Sequence, residues 1–171
     1  MTADDVLEIV GGLRASDVGV WLLGGWGVDA LVGEQTRDHK DLDLIVRDDD
    51  VARATDVLNE RGFRMERGAE GGVIFRDGRD RVVDLHSVRF DGRGNGRFEN
   101  ENRGPFEHPA VAFAAGGNIA GRRMACLSAE AQMTNHTWGY TPGDTDFHDM
   151  RLLHDRLGTP LLPPFSDRSG A

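Results

Sequence analysis

Residues 41–46, "DLDLIV", alternate an acid with a leucine and then run on as three apolar residues. In an extended chain, residues two apart share a face, so Asp41 and Asp43 project together while Leu42 and Leu44 turn to the other side. One face of this strand has to meet a core, and the other has to tolerate two carboxylates at close range. Like charges held side by side repel, and a cation is the usual means of keeping them together. Any fold for this chain must therefore supply a sheet with one covered face and a place for that acid pair.

The residues before the pair suit a phosphate. "VGVWLL", residues 18–23, is a short apolar run rich in strand formers that stops at Gly24 and Gly25, as a buried strand entering a tight turn would. A short helix follows from Trp26 to Leu31 and ends near Gly33. Lacking side chains, Gly24 and Gly25 let backbone N–H groups approach a phosphate, and the next helix adds its dipole. A hard cation such as Mg²⁺ on Asp41 and Asp43 would take phosphate oxygens as further ligands, so a metal-bound nucleotide is the guest this segment suits. A third acid, Asp84, stands in "RVVDLHSV" with His86 two residues on and on the same face. Beside the first strand, Asp84 would complete the metal site or deprotonate an attacking hydroxyl.

Each feature also has a plainer reading. An alternating D-x-D is often only a solvated strand face, and a glycine pair only a turn; their order, with Asp84 after them, turns the reading toward a metal. Arg37 either meets phosphate or pairs with Asp29 or Asp38 to fix the loop. Asp29 reads as structural, Trp21 and Trp26 as core, and His86 as a half-buried strand histidine or an acceptor contact. Asp48, Asp49 and Asp50 read as a helix start favoured by the dipole.

The rest of the chain alternates helices and short strands. Thr2 is an N-cap before Asp4 and Asp5, and Val6, Ile9, Val10 and Leu13 fall on one helical face. "DDDVARATDVLNERG" reads as a helix closed by Gly62, and "GFRM", "GVIFR" and "RVVDLHSV" read as a hairpin or meander around "RDGRD". Residues 90–117 read as a long, partly irregular connection, and "GRRMACLS" as one more strand. Ser128 then caps the first of two helices, Ala129–Thr137 and Thr145–Leu157, before a Pro-rich tail. This is an α+β pattern of one domain, with residues 1–127 as its body and 128–171 as a helical segment packed on it.

Composition removes some classes. The net charge of −9 over 171 residues argues against binding a nucleic-acid backbone, which needs a basic face. No apolar run approaches the roughly 20 residues of a membrane span. Two acids near the amino end and a single cysteine, Cys126, lead to the expectation of a cytoplasmic setting without disulfides.

The string "GGWGVDALVGEQTRDHKDLDL", followed by the separate acid in "VVDLHSV", resembles the antibiotic nucleotidyltransferases of the lincosamide and aminoglycoside 2''-type, within the DNA polymerase β-like nucleotidyltransferase superfamily. The resemblance implies a nucleotidyltransferase fold, a mixed sheet flanked by helices. It further implies two Mg²⁺ ions, and transfer of a nucleoside monophosphate from ATP to a drug hydroxyl with release of pyrophosphate. Asp41 and Asp43 match the metal-binding pair, Asp84 the third carboxylate, and Gly24 and Gly25 the phosphate-contacting turn. Arg37 and His39 match the "R-x-H-x-D-x-D" portion and would face the nucleotide phosphates. "HTWGYTPGDTDFHDMRLL" is similar to the family's later helical segment, with Tyr140 and Asp149 in comparable places. Residues 90–117 depart most and would recognise the acceptor, a small hydroxylated molecule; a homodimer is compatible with the resemblance. Two other readings stand beside it: a partner or antitoxin-like module of the same fold with little or no turnover, and a different metal-dependent phosphohydrolase.

Overall fold

The first helix begins where its cap sits. In the computed structural model, which describes residues 1–66, 72–99, 104–137 and 141–167, α1 spans Ala3–Ala15, and Thr2 and Asp5 bond reciprocally across its first turn. Its Val6, Ile9, Val10 and Leu13 are buried, and at about 1.5–3 kcal/mol for each such side chain they hold the helix to the sheet. β1 (Val20–Leu22) leads directly into α2 (Gly24–Val32). The two glycines are thus the opening residues of the helix, not a turn ahead of a helix that begins at Trp26. The corner is made by Gly24 itself, whose φ of +60° lies in the left-handed region that favours glycine.

β2 (Asp41–Arg47) carries the acids at its start and the buried Leu44, Ile45 and Val46 towards its end. Residues 48–50 form one 3-10 turn, and α3 (Val51–Glu60) follows. β3 (Arg64–Glu66), β4 (Gly72–Arg76) and β5 (Val82–Phe90) form the meander read from their turn residues. The described residues between 90 and 117 hold more regular structure than their composition implies. β6 (Gly96–Phe98) pairs with the end of β5, and β7 (Phe106–His108) pairs with β6. Residues 110–113 form a 3-10 turn, and β8 (Gly116–Ile119) pairs with β9 (Arg122–Ala125). Strands of three or four residues are too short to display a period, which is why pattern reading passes over them. Aromatic packing holds this region in place: Phe113 meets Trp21 and Phe90 edge-on, and its carbonyl accepts the Trp21 indole N–H at 3.0 Å.

The main sheet runs in the order β1-β2-β5-β4-β3, with β6 and β7 extending it from β5. β2 and β5 are parallel and the other strand pairs antiparallel, so the sheet is mixed and the class α+β. Leu42, Leu44, Val83, Leu85 and Phe75 lie in one core with the buried faces of α1 and α3. On the opposite face, Ile45 and Val88 pack with Leu127 and Ala131. α4 (Ala129–Thr137) begins after Ser128, whose hydroxyl accepts the Ala131 N–H at 3.3 Å, and α5 (Asp144–Leu157) follows. Both pack on α2, where Val28 joins Met133, Met150, Leu153 and Phe165 in a separate cluster. Phe165 ties down the described part of the Pro-rich tail. Among the described residues no helix is long and apolar enough to cross a membrane.

Candidate active site

Parallel pairing of β2 with β5 sets Asp43 directly opposite Asp84, with Asp41 opposite Val82 and Ile45 opposite His86 in the flanking rows. Asp41, Asp43, Asp84 and His86 therefore share the sheet face turned away from α1 and α3. One ligand atom each of Asp43, Asp84 and His86 lies within 4.8 Å of the others, and His86 Nε2 is 3.5 Å from Asp84 Oδ2. Asp41 is exposed, one step along the strand and outside that triplet. Asp84 Oδ1 is buried and, among the described residues, has no hydrogen-bond partner. Burial, together with the charges of Asp41 and Asp84, pushes the Asp43 carboxyl well above the usual carboxylate range, and the Arg37 guanidinium offsets this only in part. Crowded carboxylates with an orphaned oxygen are short of positive charge, and oxygen donors of this kind fit a hard cation such as Mg²⁺.

Three glycines make the crowding sterically feasible. A Cβ on Gly24 would run into the Asp43 carboxylate, and one on Gly25 into the Arg37 guanidinium and the His39 ring. Gly72 lies opposite His86 on β4, where a Cβ would run into Asp84 Oδ1 and stand 3.1 Å from His86 Cε1. The glycine start of α2 and the acid pair of β2 are thus one packing unit.

Two basic residues of the connecting segment, Arg37 and His39, are each held by a buried acid. Arg37 pairs with Asp149 of α5, donating from Nε to Oδ1 at 2.9 Å and from Nη2 to Oδ2 at 2.6 Å. Its Nη1 donates to the Asp38 carbonyl at 3.2 Å. Asp149 is 2% exposed and Arg37 25%, so the fork anchors the guanidinium on one side and leaves part of it to solvent. The partner is neither Asp29 nor the Asp38 side chain, the two alternatives its sequence position suggests. His39 is buried, with Nε2 against Asp29 Oδ2 at 2.5 Å and its ring 4.5 Å from that of Trp26. Asp29 also accepts the Thr36 hydroxyl at 2.6 Å, so its carboxylate ties two residues of this segment together. Where the sequence pattern expects His39 to face phosphate, the ring is enclosed beneath Gly25. The Gly24 N–H is likewise engaged, donating to Gln132 Oε1 at 3.1 Å.

Gln132, Gly72 and the pairing role of Asp149 escape sequence reading. Gln132 sits mid-helix among small and apolar residues with no motif around it, and Gly72 opens an ordinary-looking strand. The grouping of His86 with Asp84 was readable from their two-residue spacing. Tyr140 lies outside the described residues.

This geometry has relatives. Residues 5–153 match the family described as aminoglycoside-2''-adenylyltransferase. A lincosamide resistance protein of Staphylococcus haemolyticus is 27% identical over 154 residues, covering 90% of this chain and 94% of its own. The lincomycin-bound crystal structure of the lincosamide antibiotic adenylyltransferase LnuA superposes with a TM-score of 0.78 at 26% identity, over 90% of this chain and 96% of that one. ANT(2'')-Ia in complex with adenylyl-2''-tobramycin shares the fold, with a TM-score of 0.74 at 21% identity over 91% of this chain and 89% of that one. With a family match that spans most of its length, the chain belongs to the aminoglycoside-2''-adenylyltransferase family and is an antibiotic nucleotidyltransferase.

Proposed function

We propose that this enzyme transfers AMP from ATP to a hydroxyl of a lincosamide or aminoglycoside, requires Mg²⁺, and releases pyrophosphate. The observation that supports this reading most is the in-register pairing of Asp43 with Asp84 against the glycine start of α2. Asp41, Asp43 and Asp84 would between them hold two cations. A cation held there would supply positive charge to offset that on the transferring α-phosphoryl group and the departing pyrophosphate.

The other roles belong to the chain itself. With the Gly24 N–H held by Gln132, the amides of Gly25 and Trp26 in the same first turn are left to meet the phosphates, with the helix dipole behind them. Arg37 has five N–H donors, of which three are engaged by Asp149 and Asp38, and it offers the rest to a phosphate oxygen. His39 supports Gly25 from beneath, and Asp29 fixes its ring. Asp84 takes the proton of the acceptor hydroxyl as that oxygen attacks phosphorus. The relatives bound to lincomycin and to adenylyl-2''-tobramycin support these two acceptor classes, and a net charge of −9 suits a cationic one.

The test is coupled turnover. Pyrophosphate is expected from ATP only when Mg²⁺ and an acceptor drug are both present. Equal release with no acceptor would make the site a hydrolase and overturn the reading.

A further inference from the structure

The roles assigned above leave His86 unused, although it stands in the same cluster. Its ring nitrogen and one oxygen each of Asp43 and Asp84 lie within 4.8 Å of one another. All three side chains come from adjacent rows on one face of two paired strands, so no loop has to close to bring them together. On the far side of β5, Gly72 faces His86, and only the absence of a side chain there leaves room for Asp84 and the imidazole together. Asp84 Oδ1 is buried without a partner among the described residues, the state of an acceptor that awaits a ligand.

The chemistry of this set differs from that of carboxylates alone. Three carboxylates present only oxygen, which favours Mg²⁺. Two carboxylates and an imidazole present one nitrogen, and nitrogen donors favour first-row transition cations, which bind such sites more tightly in the order Mn²⁺, Fe²⁺, Co²⁺. We propose that His86 is a direct metal ligand together with Asp43 and Asp84, and that this inner position takes Mn²⁺ or a similar cation in preference to Mg²⁺. Asp41, one step outward and exposed, is left for the cation that arrives with the nucleotide. The proposal rests on reading the Asp43 and Asp84 pair as a metal site.

The test uses the whole chain with Mn²⁺ alone, without nucleotide or drug. Electron spin-echo envelope modulation of the bound Mn²⁺ is expected to show one directly coordinated ¹⁴N. That coupling should change to the ¹⁵N pattern when histidine is labelled, and vanish in His86→Gln. By titration calorimetry, wild type is expected to bind Mn²⁺ about tenfold or more tightly than Mg²⁺, a preference that His86→Gln reduces towards unity. The labelled wild type needs no variant to fold, so a misfolded His86→Gln would not leave the question open. Bound Mn²⁺ with no nitrogen coupling would put His86 outside the coordination shell and overturn the proposal while the carboxylate site stands. Failure to bind Mn²⁺ at all would overturn both.

Discussion

Replacing Gly24 with alanine would press a methyl group against the Asp43 carboxylate and ask an L-residue to hold a φ of +60°. The conformation alone costs about 1–2 kcal/mol. Gly24→Ala is therefore expected to lower the unfolding temperature and, by displacing Asp43, to cut transfer about a hundredfold, as a thermal melt beside a turnover assay would report. Asp43→Asn is expected to do the opposite to stability. The folded Asp43 carboxyl is raised above its unfolded value, so its contribution to stability is full at low pH and is lost as pH rises through the folded value. At neutral pH, without metal, the wild type bears the cost of an acid whose charged form the folded site disfavours, and asparagine does not. The variant should melt higher than wild type at pH 7 without metal, by a margin that shrinks on acidification, while transfer falls by about 10²-fold or more. Added Mg²⁺ should raise the wild-type melt and leave the variant nearly unmoved. At this scale the acids were legible because a two-residue period needs no partner to be read. The neighbours of Gly24 and Gly25 were not, because those contacts come from residues up to 108 positions away in sequence.

Among elements, the joint between α1 and the β4–β5 turn is electrostatic. Arg81 is buried and donates to Asp77 at 2.7 Å, Glu8 at 2.9 Å and Asp5 at 3.1 Å. Burial by itself would raise the Asp77 and Asp5 carboxyls, but hydrogen bonds outweigh it and both are held below the ordinary range. For Asp77 these bonds come from Arg81 and Arg79, and for Asp5 from Thr2 and Arg81. Groups depressed in this way stabilise the fold above the ordinary carboxylate pKa of about 4, and that stability is lost as pH falls through the lower folded values. Urea unfolding across pH 2–6 is expected to show this loss, and Arg81→Met is expected to flatten the slope. The second joint, between Arg37 and Asp149, ties the lead-in of β2 to α5. Asp149→Ala leaves a guanidinium without its buried partner, and is expected to cost about 2 kcal/mol, less than a fully buried pair because Arg37 keeps contact with water. Helices were legible at this scale from caps and 3.6-residue spacing, as Thr2 and Gly33 illustrate. The parallel pairing of β2 with β5 was not, because no local pattern states which strand lies beside which. The placement of Asp43 opposite Asp84 depends on that one fact.

For the molecule as a whole, the helical segment after residue 127 packs against the candidate site. Gln132 holds the Gly24 N–H, Asp149 holds Arg37, and Met133, Met150 and Leu153 bury Val28 of α2. A chain ended at Leu127 is expected to lose cooperative unfolding and near-ultraviolet circular dichroism, because α2 would expose one of its faces; a sharp native-like melt would show that residues 1–127 fold alone. The motif from Gly24 to Asp43 announced the family, and the family match over residues 5–153 agrees with it. β6 and β7, of three residues each, leave little trace in the pattern because they are too short to display a period. The measurement that tests the central claim most directly is mass spectrometry of lincosamides and aminoglycosides incubated with the protein, ATP and Mg²⁺. One drug in the panel is predicted to gain the mass of a single AMP, with wild type but not with Asp43→Asn. An adduct formed equally by the folded Asp43→Asn protein, or ATP bound with every drug unmodified, would contradict the account.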